Sequence, residues 1–329
     1  YDWHVFGKDV RDVEWDVFSF DPPETLPKEK WGRYRTVTTD RFTAPDAMRA
    51  EWQRLWPRTW IIAGFAADVA NVGDWFTYDI GDHHLVIVRS DRDTVRAFYN
   101  VCKHRGNRLV WSDAGGMPSF TCAYHGWRYA VDGSLEYAQD PDDFDGGDPC
   151  KRVRLTEVPC QVWQGMVWYS MDPAAKPLLD WLDPIPRLLQ NRDIGSMVRV
   201  VHRIGEAATN WKFAPDNFNE SYHLPSVHPQ MAAYIDEDYR DTLFEMHPSG
   251  HNRMVIKSRP SARLSRENAP DPVFDAVMHA WDLKPEDYRG NPNEARLAVQ
   301  RQKRALGVAR GYTHFPRLSD EELTDYFHH

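Results

Sequence analysis

Two Cys–His pairs set the strongest constraint on what this chain can fold into. Cys102 and His104 stand two positions apart, seventeen residues follow, and Cys122 and His125 then stand three positions apart. Each short segment therefore offers one thiolate and one imidazole, and both groups bind transition metals. A fold that brings the two segments together creates a metal site with four protein ligands.

The distribution of the ligands favours iron–sulfur chemistry over zinc. A structural zinc site usually takes Cys with Cys from one loop and His with His from another. In a Rieske [2Fe-2S] centre, two Cys bind one iron and two His bind the other. One Cys and one His in each segment predict that both loops contact both irons. The alternatives are a structural zinc module and four Cys and His residues with no common role.

The residues around the four ligands resemble the loops of Rieske proteins, most closely those of Rieske non-haem iron oxygenases. The first loop reads CKHRGNRL from Cys102, and the second reads CAYHGWRY from Cys122. Gly106 and Gly126, close behind the His residues, are expected to turn backbone N–H groups toward the cluster sulfurs. The resemblance implies a [2Fe-2S] cluster with these ligands: Cys102, His104, Cys122 and His125.

A second candidate metal site lies between Thr209 and Gln230. Glu220 and His223 are three positions apart, so on a helix they share one face. Pro225 is expected to interrupt the helix and to bring His228 back toward His223. Two imidazoles and one carboxylate form the ligand set of mononuclear Fe(II) enzymes that activate O₂. The alternative is that both His residues are ordinary polar residues on a helix.

This second segment resembles the catalytic segment of Rieske oxygenase α subunits. The resemblance rests on the following residues: Asp216, Asn217, Glu220, Tyr222, His223 and His228. It implies a mononuclear Fe(II) bound by His223 and His228, with Asn217 and Glu220 as catalytic residues.

Glu220 departs from the usual family pattern, which has Asp at this position. On the resemblance, this carboxylate bridges an iron-binding His to a cluster-binding His of the neighbouring subunit. Its expected counterpart is His125 of the partner subunit. A minority branch of the family, which acts on quaternary amines, also carries Glu here.

The third iron ligand of the family is an Asp far toward the C-terminus. The resemblance places this residue beyond residue 329, where the sequence ends in Phe327-His328-His329. Asp320 and Asp325 are the substitutes that the sequence offers, although we expect both to lie on an exposed helix.

The length of 329 residues favours two domains, because a single hydrophobic core stops growing below this size. Short apolar runs separated by turn residues predict an antiparallel all-β module that carries the cluster loops. We therefore predict an α+β fold, in which an all-β Rieske domain is inserted in a catalytic domain with an antiparallel sheet flanked by helices. The predicted boundaries are 1–57 for an N-terminal arm and helix of the catalytic domain, 58–175 for the Rieske domain, and 176–329 for an incomplete catalytic domain.

Periodicity in the second half of the chain predicts further regular elements. Ser319 and Glu322 form the pattern of a helix capping box. The predicted strands are 197–206, 241–247 and 252–258, and the predicted helices are 272–283, 292–309 and 319–327.

Composition excludes several classes of protein. The net charge of −9 argues against a general nucleic-acid binder, and no apolar run is long enough for a membrane helix. No signal segment opens the sequence, so a cytoplasmic protein is expected, although the first residue is Tyr1 rather than Met. Cys150 and Cys160 are expected to be free thiols.

The resemblance implies the oxygenase component of a Rieske system, which hydroxylates a substrate with O₂ and with electrons from a ferredoxin, a reductase or both. It also implies a homotrimer, with an α₃β₃ assembly left open. Apolar residues near the second metal site suggest a hydrophobic aromatic or alicyclic substrate. These residues are Phe218, Met231, Tyr234 and Phe244.

Two other functions remain open on the sequence. The first is a Rieske oxygenase that acts on a quaternary amine or removes O- or N-methyl groups. The second is a Rieske electron-transfer protein without oxygenase chemistry. Basic residues near the cluster loops suggest a docking surface for an acidic ferredoxin. They are Lys103, Arg105, Arg108, Arg128, Lys151, Arg152 and Arg154.

Overall fold

The computed structural model describes residues 24–25, 27, 38–192, 194–261 and 272–328, and the chain divides into two compact units. Most of the predicted N-terminal arm lies outside the described residues. The first unit takes its described residues from Tyr1–Thr43, Leu182–Arg192 and Val198–His329. The second unit comprises Ala44–Trp181 and Asp193–Met197.

Helices and strands are numbered here in chain order. The helices are α1 (Asp40–Thr43), α2 (Pro45–Arg54), α3 (Leu178–Leu182), α4 (Ile185–Leu189), α5 (Phe213–Phe218), α6 (Leu224–Val227), α7 (Pro272–Ala280), α8 (Pro292–Leu306) and α9 (Asp320–Thr324). The strands are β1 (Trp60–Phe65), β2 (Asp74–Ile80), β3 (His83–Arg89), β4 (Val95–Tyr99), β5 (Ala114–Gly116), β6 (Ser119–Thr121), β7 (Arg128–Ala130), β8 (Leu135–Tyr137), β9 (Glu157–Val158), β10 (Cys160–Trp163), β11 (Met166–Ser170), β12 (Leu243–Met246), β13 (Asn252–Ile256) and β14 (Tyr326–His328).

The second unit consists of three antiparallel sheets in the orders β5-β2-β3-β4-β9, β1-β11-β10 and β6-β7-β8. Strand β3 shows why its sequence is an unbroken apolar run. Successive side chains of a strand point to opposite faces, and here both faces are covered. The side chains of Val86 and Val88 pack into the hydrophobic core that also contains Cys102 and Cys122. The side chains of Leu85 and Ile87 pack into a second hydrophobic core on the other face.

Helix α2 lies in the second unit, although we predicted that residues 1–57 would belong to the catalytic domain. The reason is an aromatic contact that the helix makes with the β2–β3 turn. The ring of Trp52 lies 6.0 Å from that of His83. The Trp52 ring also covers Gly81, where a Cβ would lie 2.5 Å from it.

The first unit contains the antiparallel sheet β12-β13-β14 and helices α4 to α9. One of its core clusters joins α7 and α8 through Phe274, Met278 and Val299. A smaller cluster joins α6 to β13 through Leu224, Met254 and Ile256. The α6 helix, which follows His223, is thus attached to the sheet by one buried leucine.

The predicted strand at 197–206 is wrong. This segment is irregular, and its apolar side chains are between 53% and 87% exposed at Val198, Val200, Val201 and Ile204. An alternating pattern becomes a strand only where a neighbouring strand supplies hydrogen-bond partners. Within the part of the chain that the structure describes, no strand lies beside this segment.

The other predicted elements of the second half are found with shorter bounds, but the end of the predicted helix 319–327 is wrong, because Tyr326–His328 form strand β14 and pair with β13. Strands β12 and β13 pair with each other from Leu243 opposite Val255 to Met246 opposite Asn252. Helices α7 and α8 lie within the predicted helices, and α9 begins with the Ser319–Glu322 capping box. Among the described residues, no helix is both long and apolar enough to cross a membrane.

Candidate metal centres

The two cluster loops have the same backbone hydrogen-bond pattern. In the first loop, Cys102 N donates to Asn107 O at 2.8 Å, and Gly106 N donates to Cys102 O at 3.0 Å. In the second loop, Cys122 N donates to the carbonyl five positions ahead at 2.8 Å, and Gly126 N donates to Cys122 O at 3.0 Å. Each glycine has a positive φ, 74° and 71°, which only glycine adopts without strain. The glycine N–H groups thus bind the Cys carbonyls, and not the cluster sulfurs as we predicted.

Polar side chains lie next to both Cys sulfurs. The Tyr129 hydroxyl lies 3.3 Å from Cys102 Sγ and accepts the backbone N–H of Lys103 at 3.0 Å, so its own hydrogen is available to the sulfur. Burial raises the pKa of Tyr129 and keeps this hydroxyl protonated. Asn107 Nδ2 lies 3.8 Å from Cys122 Sγ. Tyr129 closes the second loop sequence CAYHGWRY, and no sequence pattern predicts its contact with Cys102, which is 27 positions away.

The structure brings together the four residues that we predict as cluster ligands. Cys102 and Cys122 are each 2% exposed, and their thiols are hydrogen-bond partners. The rings of His104 and His125 lie 4.6 Å apart between centroids. His104 is further fixed by stacking on Trp127, at 4.8 Å and an interplanar angle of 10°.

This arrangement fits a [2Fe-2S] cluster. His104 Nδ1 is buried and has no hydrogen-bond partner among the described residues, so a metal ligand role would satisfy it. Burial, followed by the proximity of His125 and Arg105, lowers the pKa of His104 and favours the neutral imidazole that binds a metal. Burial raises the pKa of Cys102, so its thiolate form depends on a bound metal.

The basic residues near these loops are largely neutralised. Four of the seven form ion pairs with carboxylates: Arg108 with Asp79, Arg128 with Glu136, Lys151 with Asp148, and Arg154 with Asp132. Arg105 lies over the exposed ring of Tyr124. The docking surface for an acidic ferredoxin stays a prediction, with four of its seven basic residues paired to carboxylates.

The second candidate site is built around a single helical turn. Helix α5 ends at Phe218, and α6 begins directly after His223 and ends directly before His228. Pro225 lies in the first turn of α6, where proline is tolerated, so it starts this helix and does not interrupt it as we predicted. The two His residues flank the turn, and their ring centroids lie 5.4 Å apart.

Glu220 holds the first of these imidazoles. Its Oε1 lies 2.5 Å from His223 Nδ1, while its Oε2 accepts the backbone N–H groups of Tyr222 and His223. A carboxylate that binds Nδ1–H of an imidazole leaves Nε2 as the metal ligand. Asn217 lies on α5, a helix with no buried residue, and its side chain is exposed.

The spacing of these imidazoles fits a shared metal ion. With a metal–nitrogen bond of about 2.1 Å, ring centres lie about 3.2 Å from the ion, and two rings at adjacent positions lie roughly 4.5–5.5 Å apart. Both His pairs meet this condition. Among the described residues, no further His, Cys, Asp or Glu is placed to hold one ion together with His223 and His228.

The two substitutes for the third ligand are engaged elsewhere. Asp325 is bound at both oxygens by Arg296, at 2.7 and 2.5 Å, and also accepts the backbone N–H of Ser258. Asp320 pairs with Arg304 at 2.7 Å. Asp325 follows α9 and its side chain is 2% exposed, so the prediction that it lies on an exposed helix is wrong. Both carboxylates are engaged in ion pairs with arginines.

Most of the apolar residues that we predicted to line a substrate pocket pack instead against a hydrophobic core. Met231, Tyr234 and Phe244 pack against the small core cluster that joins α6 to β13. Phe218 is exposed. Three of the four residues thus belong to a core, which removes the sequence argument for a hydrophobic ring as substrate.

Comparisons with known families agree with both centres. The model of the Rieske [2Fe-2S] domain matches residues 59–160, and the model of the ring hydroxylating alpha subunit (catalytic domain) matches residues 193–329. The chain belongs to the Rieske non-haem iron oxygenases, whose subunits use a [2Fe-2S] cluster and a mononuclear iron. The predicted fold class and cofactors are confirmed.

Several individual proteins that are similar to this chain are oxygenase subunits of monooxygenases. The carnitine monooxygenase oxygenase subunit of Escherichia coli (strain K12) is 30% identical over 217 residues, covering 64% of this chain and 56% of that protein. The glycine betaine monooxygenase oxygenase subunit of Chromohalobacter salexigens is 31% identical over 209 residues, covering 61% and 44%. This chain spans about half the length of these curated relatives.

A solved structure shows the same relationship. The crystal structure of a quaternary ammonium Rieske monooxygenase with a bound inhibitor has a TM-score of 0.62 and 26% identity to this chain. The match covers 72% of this chain and 67% of that one.

Proposed function

We propose that this protein is the oxygenase subunit of a Rieske monooxygenase system that hydroxylates a quaternary amine. The observation that carries the proposal is the contact of Glu220 with His223 Nδ1 beside the ring of His228. A Rieske carrier that only transfers electrons has no need of this second arrangement. Matches to the catalytic domain of an oxygenase also favour the oxygenase over the carrier.

Three observations support the amine over a hydrophobic aromatic or alicyclic substrate. Glu220 stands where most of the family has Asp, a feature of the branch that acts on quaternary amines. The relatives named above are monooxygenases of carnitine and glycine betaine. The residues that suggested an aromatic substrate lie mostly in a core.

The side chains have separate tasks in this proposal. When bound, the [2Fe-2S] cluster supplies electrons and the mononuclear iron supplies O₂ activation. Cys102, His104, Cys122 and His125 hold the cluster, and His223 and His228 hold the iron. Glu220 fixes the tautomer and the orientation of His223.

We further propose a homotrimer in which Glu220 also contacts His125 of the partner subunit. The Glu220 side chain is 39% exposed, so it is accessible to a neighbouring chain. A solved relative is described as transferring electrons between subunits. A ferredoxin or a reductase is the proposed electron donor. Light scattering on the full-length protein distinguishes a homotrimer from an α₃β₃ assembly.

Turnover of a defined panel tests the activity. The full-length protein with a surrogate reductase is incubated with carnitine, glycine betaine and choline, and separately with naphthalene. We expect O₂ consumption coupled to an amine, with ¹⁸O from ¹⁸O₂ in the product. Coupled turnover of naphthalene alone would contradict the substrate class. A reducible cluster without any substrate-linked O₂ consumption, and two irons per chain, would favour the electron carrier.

A further inference from the structure

In the first unit, a loop of buried acidic residues is hydrogen-bonded to residues 219–228, the two-His segment that carries His223 and His228. Asp236, Glu237 and Asp238 are consecutive and are 0%, 2% and 4% exposed. Burial of a carboxylate is costly unless it is paired and hydrogen-bonded. Asp236 receives two hydrogen bonds from Arg259, at 2.8 and 2.6 Å, and its backbone N–H donates to Lys257 O at 3.0 Å.

Arg259 connects this loop to other elements of the unit. The guanidinium is only 11% exposed. It also donates to Asp241 at 2.8 Å and to Asn293 on α8 at 2.7 Å. A buried arginine that is held on several sides fixes the atoms it binds, because each bond restricts the planar group further. The loop is therefore a rigid support.

The two-His segment is joined to this support by Ser221. Its hydroxyl donates to the backbone carbonyl of Glu237 at 3.0 Å, and the residue is 2% exposed. Ser221 lies between Glu220 and His223, the two residues that contact each other in the candidate iron site. The hydrogen bond thus holds the backbone at the point from which the first imidazole is presented.

Packing alone does not hold this segment. No residue of α5 is buried, and Leu224 is the one buried residue of α6. Tyr222 and Val227 are largely exposed. In the described structure, the Ser221 hydroxyl and the Leu224 side chain are the buried attachments of the segment between α5 and the end of α6.

We propose that Ser221 is a positioning residue for the mononuclear iron, and that Arg259 secures the loop to which it is bonded. The proposal rests on the proposed function, since it concerns the same iron. Without the Ser221 hydroxyl, the segment keeps its ligands but loses the fixed direction of His223. Loss of an outer contact of this kind typically costs 10–100-fold in metal affinity.

The test compares Ser221→Ala with Ser226→Ala in the full-length protein. Ser226 is an exposed serine on α6, five positions after Ser221, so its variant removes a hydroxyl from the same segment without touching the acidic loop. Iron per chain is measured after equilibration with the chelator ferrozine. The Fe(II)–nitric oxide EPR signal reports the geometry of the site, and the EPR signal of the reduced cluster reports the integrity of the other unit.

We expect Fe(II) affinity to fall about tenfold in Ser221→Ala, with an altered nitric oxide signal and an unchanged cluster signal, while Ser226→Ala behaves as wild type. Wild-type affinity and signal in Ser221→Ala would overturn the inference and leave the proposed function intact. A wild-type protein that binds no iron beyond its cluster would overturn the proposed function itself.

A second pair of variants covers the case in which Ser221→Ala does not fold. Arg259→Lys keeps the charge and loses the fork that binds Asp236, Asp241 and Asn293. Arg253→Lys is the matched control, because Arg253 lies on β13 and pairs with Glu245 instead. Weaker iron binding in the first variant alone would support the inference, and equal binding in both would overturn it.

Discussion

The cluster loops and the two-His segment differ in how their ligands are held. Cys102 and Cys122 lie at the centre of a packed core cluster, and each loop closes on itself through the same two backbone hydrogen bonds. His223 and His228 flank one helical turn that has a single buried residue. The first site takes its complete ligand set from one compact unit. The second takes two imidazoles, and its position depends on a few polar contacts.

The two candidate sites differ in how metal binding would be coupled to folding. A site inside a core couples metal binding to folding, because the ligands meet only in the folded unit. A site on a short helix can lose its metal while the core stays intact. The difference also suits the proposed chemistry, because a mononuclear iron that meets O₂ and substrate needs open coordination positions.

The largest expected contrast is between Cys102→Ala and His223→Ala. Cys102→Ala should abolish the cluster signal and destabilise the protein by about 3 kcal/mol, a fall of roughly 6–12 °C in Tm. His223→Ala should abolish turnover and the mononuclear iron with little change in Tm. EPR, iron analysis and calorimetry measure these outcomes, with the exposed His202→Ala as control. Loss of the cluster in His223→Ala would break the comparison.

The next largest effect concerns the buried ion pair between Arg296 and Asp325, which we expect to stabilise the fold without binding a metal. Asp325→Asn should lower the free energy of unfolding by about 3 kcal/mol, because it leaves the buried Arg296 guanidinium without its charged partner. Iron content should not change. Asp320→Asn is the control, since its ion pair with Arg304 is exposed and contributes at most about 1 kcal/mol. Urea denaturation gives both values, and loss of iron in Asp325→Asn would identify this residue as a ligand.

A smaller effect is expected for Glu220→Gln. The amide keeps the shape of the side chain but loses the charge that favours Nδ1–H of His223, so Fe(II) affinity should fall roughly 10–100-fold. The cluster signal should be unchanged. Iron retained against ferrozine is the measurement, and Asp216→Asn on the exposed helix α5 is the control. Iron affinity equal to that of the wild type would contradict the role assigned to Glu220.

The smallest effect is expected for Tyr129→Phe. Removal of the hydroxyl takes a hydrogen bond from Cys102 Sγ, which stabilises the more negative reduced cluster. The reduction potential should therefore fall, by at most roughly 40 mV if the bond contributes about 1 kcal/mol to the difference between oxidation states. A redox titration followed by EPR measures this shift. Tyr137→Phe, on an exposed part of β8, should leave the potential unchanged.

The sequence predicts local structure best where the contacts join residues that are only a few positions apart in the chain. The matching conformation of the two loops was predictable because each loop is a local turn with its own Cys, His and Gly. The capping box at Ser319 was predictable for the same reason. The contact of Glu220 with His223 was expected only as a shared helical face, and it is formed instead by a turn that precedes α6.

Contacts between distant residues were not predictable. The Ser221–Glu237 bond and the Arg259 contacts join residues up to 34 positions apart, so no local pattern reveals them. The alternation of apolar and polar residues at 197–206 predicts which side chains would share a face of a strand. It does not show whether a neighbouring strand is present to pair with, so the strand prediction fails there. Met231, Tyr234 and Phe244 were interpreted as pocket lining because composition does not separate a pocket from a core.

The burial of both cysteine sulfurs has a consequence for the biosynthesis of this protein. Both thiols are 2% exposed and share one hydrophobic core with Trp127 and Tyr129, so a cluster held by them would have to enter before that core closes. In the folded unit, oxidants and chelators from solution would reach these sulfurs only when the core opens locally.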